Sequence, residues 1–217
     1  MTVLKLIRCI IPREQRQAFS NAQHIWQGLA AIDGFGGQAG GWEAVSNHAV
    51  IFGYWQSVDV LQQFMDNQHP QFLAKNTDIQ SVSELKTALY EQILAVPTMS
   101  PSSDQSRIIR TVYCNGVKDE RQFIRDQMAM WNPALAKQHG MQGGYIWRNS
   151  QQTADFILQT YWESEQAHSR YVEDLLPELM QAMRPMHYMQ SISGSFVYEE
   201  PQWRVNPLHH HYAGVPE

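Results

Sequence analysis

Residues 3–11 set β-branched and other apolar side chains around Lys5 and Arg8 and predict a β-strand. Pro12 then opens a helix at the position where a missing N–H costs least. Phe19, Ala22, Trp26, Leu29 and Ala30 fall on one face of that helix, the spacing of an amphipathic helix packed on a sheet. Asp33-Gly34 closes it, with Gly34 suited to a left-handed cap, and residues 34–42 (G-F-G-G-Q-A-G-G-W) begin a second strand. Asn47 marks a turn and 49–55 a third strand. Ser57 caps a second helix with Val60, Leu61, Phe64 and Met65 inward, and a last strand falls over 84–95.

The order β-α-β-β-α-β then begins again. Ile108-Ile-Arg-Thr matches Leu6-Ile-Arg-Cys, and Lys118-Asp-Glu-Arg-Gln-Phe matches Arg13-Glu-Gln-Arg-Gln-Ala-Phe with a small slip. Trp131 matches Trp26, Trp147 matches Trp42, and Tyr161-Trp-Glu-Ser matches Tyr54-Trp-Gln-Ser. Five correspondences in one order make an internal repeat. The expected division is a first unit over 1–96, a Pro- and Ser-rich linker over 97–106, a second unit over 107–200 and an irregular tail over 201–217. The expected fold class is α+β, two tandem ferredoxin-like units, each with both helices on one face of its sheet. A longer helical stretch, 164–186, precedes the final strand near 191–198.

Composition narrows the partners. A net charge of -5 without a long basic run argues against nucleic acid and against anionic membrane surfaces. Hydrophobic residues at 43% and aromatic residues at 11% suit packed domains. Cys9 and Cys114 fall near the same place in each half and read as small buried apolar residues rather than a disulfide. The first eight residues do not resemble a signal peptide and no apolar run has membrane-spanning length, so a cytoplasmic protein is expected.

Arg8 and Arg110 stand at equivalent places in this alignment, on apolar strand faces. They read either as an anion-binding pair or as structural ion pairs with a carboxylate such as Glu43 or Glu199. The glycine stretch follows a helix and leads into a strand, the reverse of a nucleotide loop. Its glycines therefore point to close approach by a ring or a ligand. The expected pocket of the first half is lined by Trp26, Gln38, Trp42 and Trp55, with Gln23 as a polar contact; Trp131, Gln142, Trp147 and Trp162 line its counterpart. The competing reading is that the tryptophans simply fill the core. His69 is placed at the end of the second helix, as a base over the pocket or a cap on helical carbonyls. No histidine or cysteine spacing suits a metal site; His209-His-His211 lies in the tail, and Met180, Met183, Met186 and Met189 read as core.

The stretch Gly-Phe-x-Gly-Gln-x-Gly-Gly-Trp, with Tyr54-Trp-x-Ser and Phe64-Met-x-x-x-His69, resembles the YdbC-like family of the dimeric α+β barrel superfamily, which includes antibiotic biosynthesis monooxygenases. The resemblance implies that the two units close into an intramolecular α+β barrel, a pseudo-dimer, with further homodimerisation open. Haem-degrading relatives carry a histidine on the second helix where this chain has Ala74, so no haem or other cofactor is expected. Three functions remain: a protein binding a small aromatic or acidic ligand, a cofactor-independent monooxygenase-like enzyme assisted by His69 or Arg8, and a structural pseudo-dimer packed solid.

Overall fold

A computed structural model describes residues 1–46, 48–75, 82–98 and 108–208. The turn at Asn47, nearly all of the linker and His209–His211 lie outside the described residues. Eight strands form: β1 Val3–Ile10, β2 Phe35–Glu43, β3 His48–Trp55, β4 Glu84–Val96, β5 Ile108–Asn115, β6 Met141–Asn149, β7 Phe156–Trp162 and β8 Ser191–Glu199. Their hydrogen-bonded order is β1-β3-β2-β8-β5-β7-β6-β4, and β4 pairs back with β1, so the strands make an eight-stranded antiparallel barrel in an α+β protein.

The chain divides into two compact units, Met1–Glu91 with Val197–Val215, and Gln92–Phe196 with Pro216–Glu217. The first carries α1 (Arg16–Ala22), a 3-10 segment over Gln23–Ala31, α2 (Val58–Asn67) and α3 (His69–Lys75). Ser57 caps α2, its Oγ accepting from the Val60 N–H at 3.2 Å. The core between helices and sheet holds Val3, Leu29, Phe35, Trp55, Leu61 and Phe64, and beside it Cys9, Phe19, Ile51 and Trp203.

The second unit carries α4 (Glu120–Asp126), a π turn over Gln127–Trp131, α5 (Asn132–Ala136), α6 (Glu165–Asp174) and α7 (Leu176–Met183). The long helix expected over 164–186 is broken twice: Pro177 starts α7 after Leu175, and Arg184 ends α7 in the left-handed conformation at φ 44°. The π turn has a simple origin in the repeat. Phe19 and Phe123 are offset by the same number of residues as Gln23 and Gln127, whereas Trp26 and Trp131 are offset by one more. A π turn absorbs one inserted residue without losing the helix face.

Strand registers correct two of the sequence matches. Val3 pairs with Trp55 and Ile108 with Trp162, so Arg110 is the counterpart of Lys5, and Arg8 is the counterpart of Tyr113. Gly41 pairs with Val50 and Trp147 with Ile157, which makes Trp147 the counterpart of Gly41 rather than of Trp42. A strand's faces alternate with every residue, so an odd slip moves a side chain to the opposite face.

Residues 201–208 are not irregular. Pro201–Trp203 forms a 3-10 turn, Trp203 is 0% exposed, and Val205 bridges Gln38 through two backbone hydrogen bonds of 2.9 and 3.0 Å. A Cβ on Gly40 would meet the Val50 carbonyl of β3 at 2.7 Å and the Trp203 ring at 3.3 Å, and the Tyr198 carbonyl of β8 occupies the place of any Cβ on Gly41. The glycines of β2 thus serve a ring and a neighbouring strand.

Candidate functional site

Each unit has a partly open cavity between its sheet and its own helices. The first measures about 360 Å³. Alternation along β1 sends Lys5, Ile7 and Cys9 into it, and the helical side contributes Phe19, Gln23, Trp26, Leu61, Phe64 and His69. Gln38 and Trp55 complete the set, so five residues singled out from the sequence, Gln23, Trp26, Gln38, Trp55 and His69, do meet around one space.

The wall is aromatic and ordered by ring contacts. Trp26 stacks on Phe72 with centroids 5.5 Å apart, and Trp55 lies 4.9 Å from Phe64 and 5.1 Å from Phe35. His69 is the first residue of α3, not the last of α2, and lies on the Trp26 face at 5.6 Å. Burial, and secondarily the charge of Lys5, hold its imidazole below the ordinary histidine range. Lys5 is itself half-buried, its ammonium pushed below the usual lysine range by burial, and its Nζ donates to the Met65 thioether at 3.1 Å. Gln38 Nε2 donates to the Trp203 carbonyl at 3.1 Å. Gln23 is 2% exposed; its Nε2 donates to the Phe19 carbonyl at 3.4 Å while its Oε1 has no protein partner.

Arg8 and Trp42 stand apart from this cavity. Arg8 Nη2 donates to both oxygens of Glu43, at 2.9 and 3.0 Å, and the same carboxylate accepts from Ser46 Oγ and meets His48 Nδ1 at 3.0 Å. Trp42 packs on Phe19 and Trp203, with the Arg16 guanidinium 4.2 Å above its ring.

The second cavity, about 200 Å³, is built on the same plan from different residues. Arg110, Val112 and Cys114 come from β5 in place of Lys5, Ile7 and Cys9, and Gln127 and Trp131 in place of Gln23 and Trp26. Trp147 and Gln142 are buried but do not line it; Trp147 Nε1 donates to Gln159 Oε1 at 3.2 Å. Trp162 packs against His168 and Tyr171 outside the lining, its Nε1 donating to Thr160 Oγ1 at 3.0 Å.

Lys5, Gln127 and His168 escaped the sequence reading. The first two had a signal, the recurrence of Phe-x-x-x-Gln after the first strand and a cation at the third strand residue in each half. His168 had none, since its counterpart is Leu61. Cys9 and Cys114 are free buried thiols, each pushed up in pKa by burial, to about 11 and about 12. Among the described residues no group of histidine, cysteine and carboxylate side chains is arranged to hold a metal, and no helix is long and apolar enough to cross a membrane.

The fold is similar to those of solved proteins over nearly the whole chain. A "putative monooxygenase" of Lactobacillus acidophilus NCFM matches with TM-score 0.72 at 11% identity, covering 94% of this chain and 96% of that one. An anthrone oxidase-like protein matches with TM-score 0.70 at 11% identity, covering 99% and 96%. A domain of unknown function, DUF4937, matches residues 3–90. The chain also aligns with the uncharacterized protein YdbC of Bacillus subtilis (strain 168), 30% identical over 95 residues, 42% of this chain and 79% of that protein. The chain therefore belongs to the YdbC family, and residues 3–90, matched by the domain model, hold the larger cavity.

Proposed function

We propose that the protein binds a small aromatic molecule in the cavity of its first unit, and that the chain is two tandem ferredoxin-like units acting as an intramolecular pseudo-dimer. The cavity carries the reading: about 360 Å³, walled by Trp26, Trp55 and Phe64, with Gln23, whose buried carbonyl has no hydrogen-bond partner, in its lining. An apolar cavity of roughly 150 Å³ holds a benzene ring, so this one takes one or two fused rings. An unpartnered carbonyl in such a wall costs desolvation that a ligand N–H or O–H offsets. Free buried thiols at positions 9 and 114 suit a cytoplasmic setting.

A second reading has its own observation. His69, kept neutral at pH 7 and stacked on Trp26, is a base placed against an aromatic ligand, as a cofactor-independent monooxygenase-like reaction requires. The likeness in fold to an anthrone oxidase-like protein supports it as an alternative. Titration with 1-naphthol, followed by tryptophan fluorescence, tests the binding reading. Saturable quenching that Trp26→Ala weakens at least tenfold supports it; unchanged fluorescence with 1-naphthol and other neutral one- and two-ring aromatics overturns it. Oxygen consumption on quinol substrates that His69→Ala abolishes would favour the enzyme.

A further inference from the structure

Each cavity holds one cation and, among the described residues, no carboxylate pairs with it. Lys5 Nζ has a thioether sulfur for its partner. Arg110 Nη1 donates to the carbonyls of Thr111 and Ser195, both at 3.1 Å, and its guanidinium lies 5.0 Å from the Phe196 ring centroid. A Cβ on Gly194 would occupy the guanidinium's place, so β8 is shaped around this side chain. Charged groups on an apolar wall are costly unless an opposite charge joins them. Lys5 and Arg110 share a register position on the cavity face, as do Ile7 with Val112 and Cys9 with Cys114, whereas on the other face Leu6 becomes Thr111 and Arg8 becomes Tyr113. Two halves that differ at most positions both place a cation here.

The surrounding groups define the ligand further. Lys5 pairs across the sheet with Gly53, and the Trp55 Nε1 lies just above that glycine, 3.4 Å from where a Cβ would stand. In the second unit the corresponding residue is Thr160, whose hydroxyl accepts the Trp162 N–H. Glycine offers no such acceptor, and the Trp55 N–H has no protein partner among the described residues, so it stands beside Lys5 as a second donor. His69 and His168 add no charge: burial first, and then Lys5 and Arg110 respectively, depress both imidazoles, His168 to about 4. Each cavity therefore presents a single positive charge and aromatic walls, and the glutamine in its lining has a buried carbonyl without a partner, Gln23 Oε1 in one and Gln127 Oε1 in the other.

We propose that each unit's cavity takes an aromatic monocarboxylate, its carboxylate paired with Lys5 in the first and Arg110 in the second, and its ring N–H or O–H directed to Gln23 or Gln127. The inference rests on the small-molecule reading above and specifies its substrate class. The larger first cavity accommodates a fused-ring acid, the second a single-ring one.

Fluorine NMR with 3-fluoro-4-hydroxybenzoate, small enough for both sites, tests this directly, with 3-fluoro-4-hydroxybenzyl alcohol as the neutral control. Two saturable bound resonances are expected. Lys5→Met should weaken one at least tenfold and leave the other, Arg110→Met should do the converse, and the surviving resonance reports that each variant is folded. The alcohol should bind the wild type at least tenfold more weakly and respond to neither substitution. Equal affinity for acid and alcohol overturns the acid inference while leaving the aromatic cavity standing. A single resonance lost only in Lys5→Met overturns it for the second unit. Absence of binding by these probes and by neutral aromatics removes the small-molecule reading and this inference together.

Discussion

The imidazole of His69 lies against the indole of Trp26, centroids 5.6 Å apart and planes 22° from parallel, and Phe72 of the same helix also stacks on that indole at 5.5 Å. The stack links the first turn of α3 to the 3-10 segment, so the histidine is fixed by packing rather than by hydrogen bonds. Burial and the nearby Lys5 both penalise its charged form. The His69 ring protons should therefore titrate below the ordinary midpoint of about 6.5. Removing the Lys5 charge with Lys5→Met should raise that midpoint. A titration at the ordinary value would show that burial and Lys5 do not act on the ring, and one above pH 7 would remove His69 as a neutral base at that pH.

Arg8 belongs to a different structure. Glu43 is 8% exposed and receives Arg8, Ser46 and His48 together, an arrangement that secures the end of β2 against β3. Arg8→Met leaves that carboxylate short of its main counter-charge and should cost about 1–3 kcal/mol of stability. Aromatic ligand affinity should stay within twofold of wild type, because the Arg8 side chain does not line the cavity. Denaturant melts and a ligand titration on the same variant separate the two; a tenfold loss of affinity would return Arg8 to the site.

The repeat was legible because hydrophobic periodicity and turn residues survive divergence: Ser57 and Ser164 cap their helices, and Gly34 and Gly140 both take positive φ ahead of their strands. Register was not legible. A slip of one residue in pairing Trp147 with Trp42, or of three in pairing Arg110 with Arg8, leaves the pattern of residue types plausible while moving the side chain to the other face. Trp26 was found from the spacing of apolar residues after the first strand, and His69 from its place before Pro70. Lys5 was missed because a lysine near the start of a strand looks like an exposed one. Trp203 was missed because the residues that bury it, Gly40 and Phe19, lie more than 160 positions earlier.

Trp203 offers a clear stability test. Its indole N–H donates to Ser20 Oγ at 2.8 Å, and Gln202 Nε2 donates to the same oxygen at 2.6 Å. Trp203→Ala opens a cavity beside Phe19 and Trp42 and should cost about 3–5 kcal/mol. Ser20→Ala keeps the volume but leaves two donors without their acceptor, at about 1–3 kcal/mol. Chemical denaturation should rank the two in that order; wild-type stability in Trp203→Ala would mean that residues 201–208 do not stabilise the first unit.

Gly53 permits the converse experiment, improving the protein while harming the site. An added Cβ meets nothing closer than Trp55 Nε1 at 3.4 Å, and the backbone needs no left-handed conformation there. Gly53→Thr copies Thr160, gives the Trp55 N–H an acceptor, and removes a glycine from a strand interior, together stabilising by about 0.5–1 kcal/mol. The same hydroxyl takes the donor proposed for the ligand carboxylate, so affinity for aromatic acids should fall severalfold. Tighter binding in this variant would count against the assigned role of Trp55.

His168 makes the second unit acid-sensitive. It is 4% exposed, sits among Trp162, Tyr171 and Phe196, and faces the Arg110 charge, with its pKa lowered to about 4 chiefly by burial. In the unfolded chain it returns to about 6.5, so between those values the unfolded state binds the extra proton. The neutral buried histidine therefore contributes fully above about pH 6.5, and its contribution is lost as pH falls towards 4, a change of about 3 kcal/mol. His168→Leu, which installs the counterpart Leu61, removes this titration. Carboxylates titrate in the same range in both proteins, so the informative quantity is the difference in unfolding free energy between wild type and His168→Leu at pH 7 and at pH 4.5. That difference should shift in favour of the leucine variant on acidification; parallel pH profiles would show that His168 is not held neutral by its surroundings.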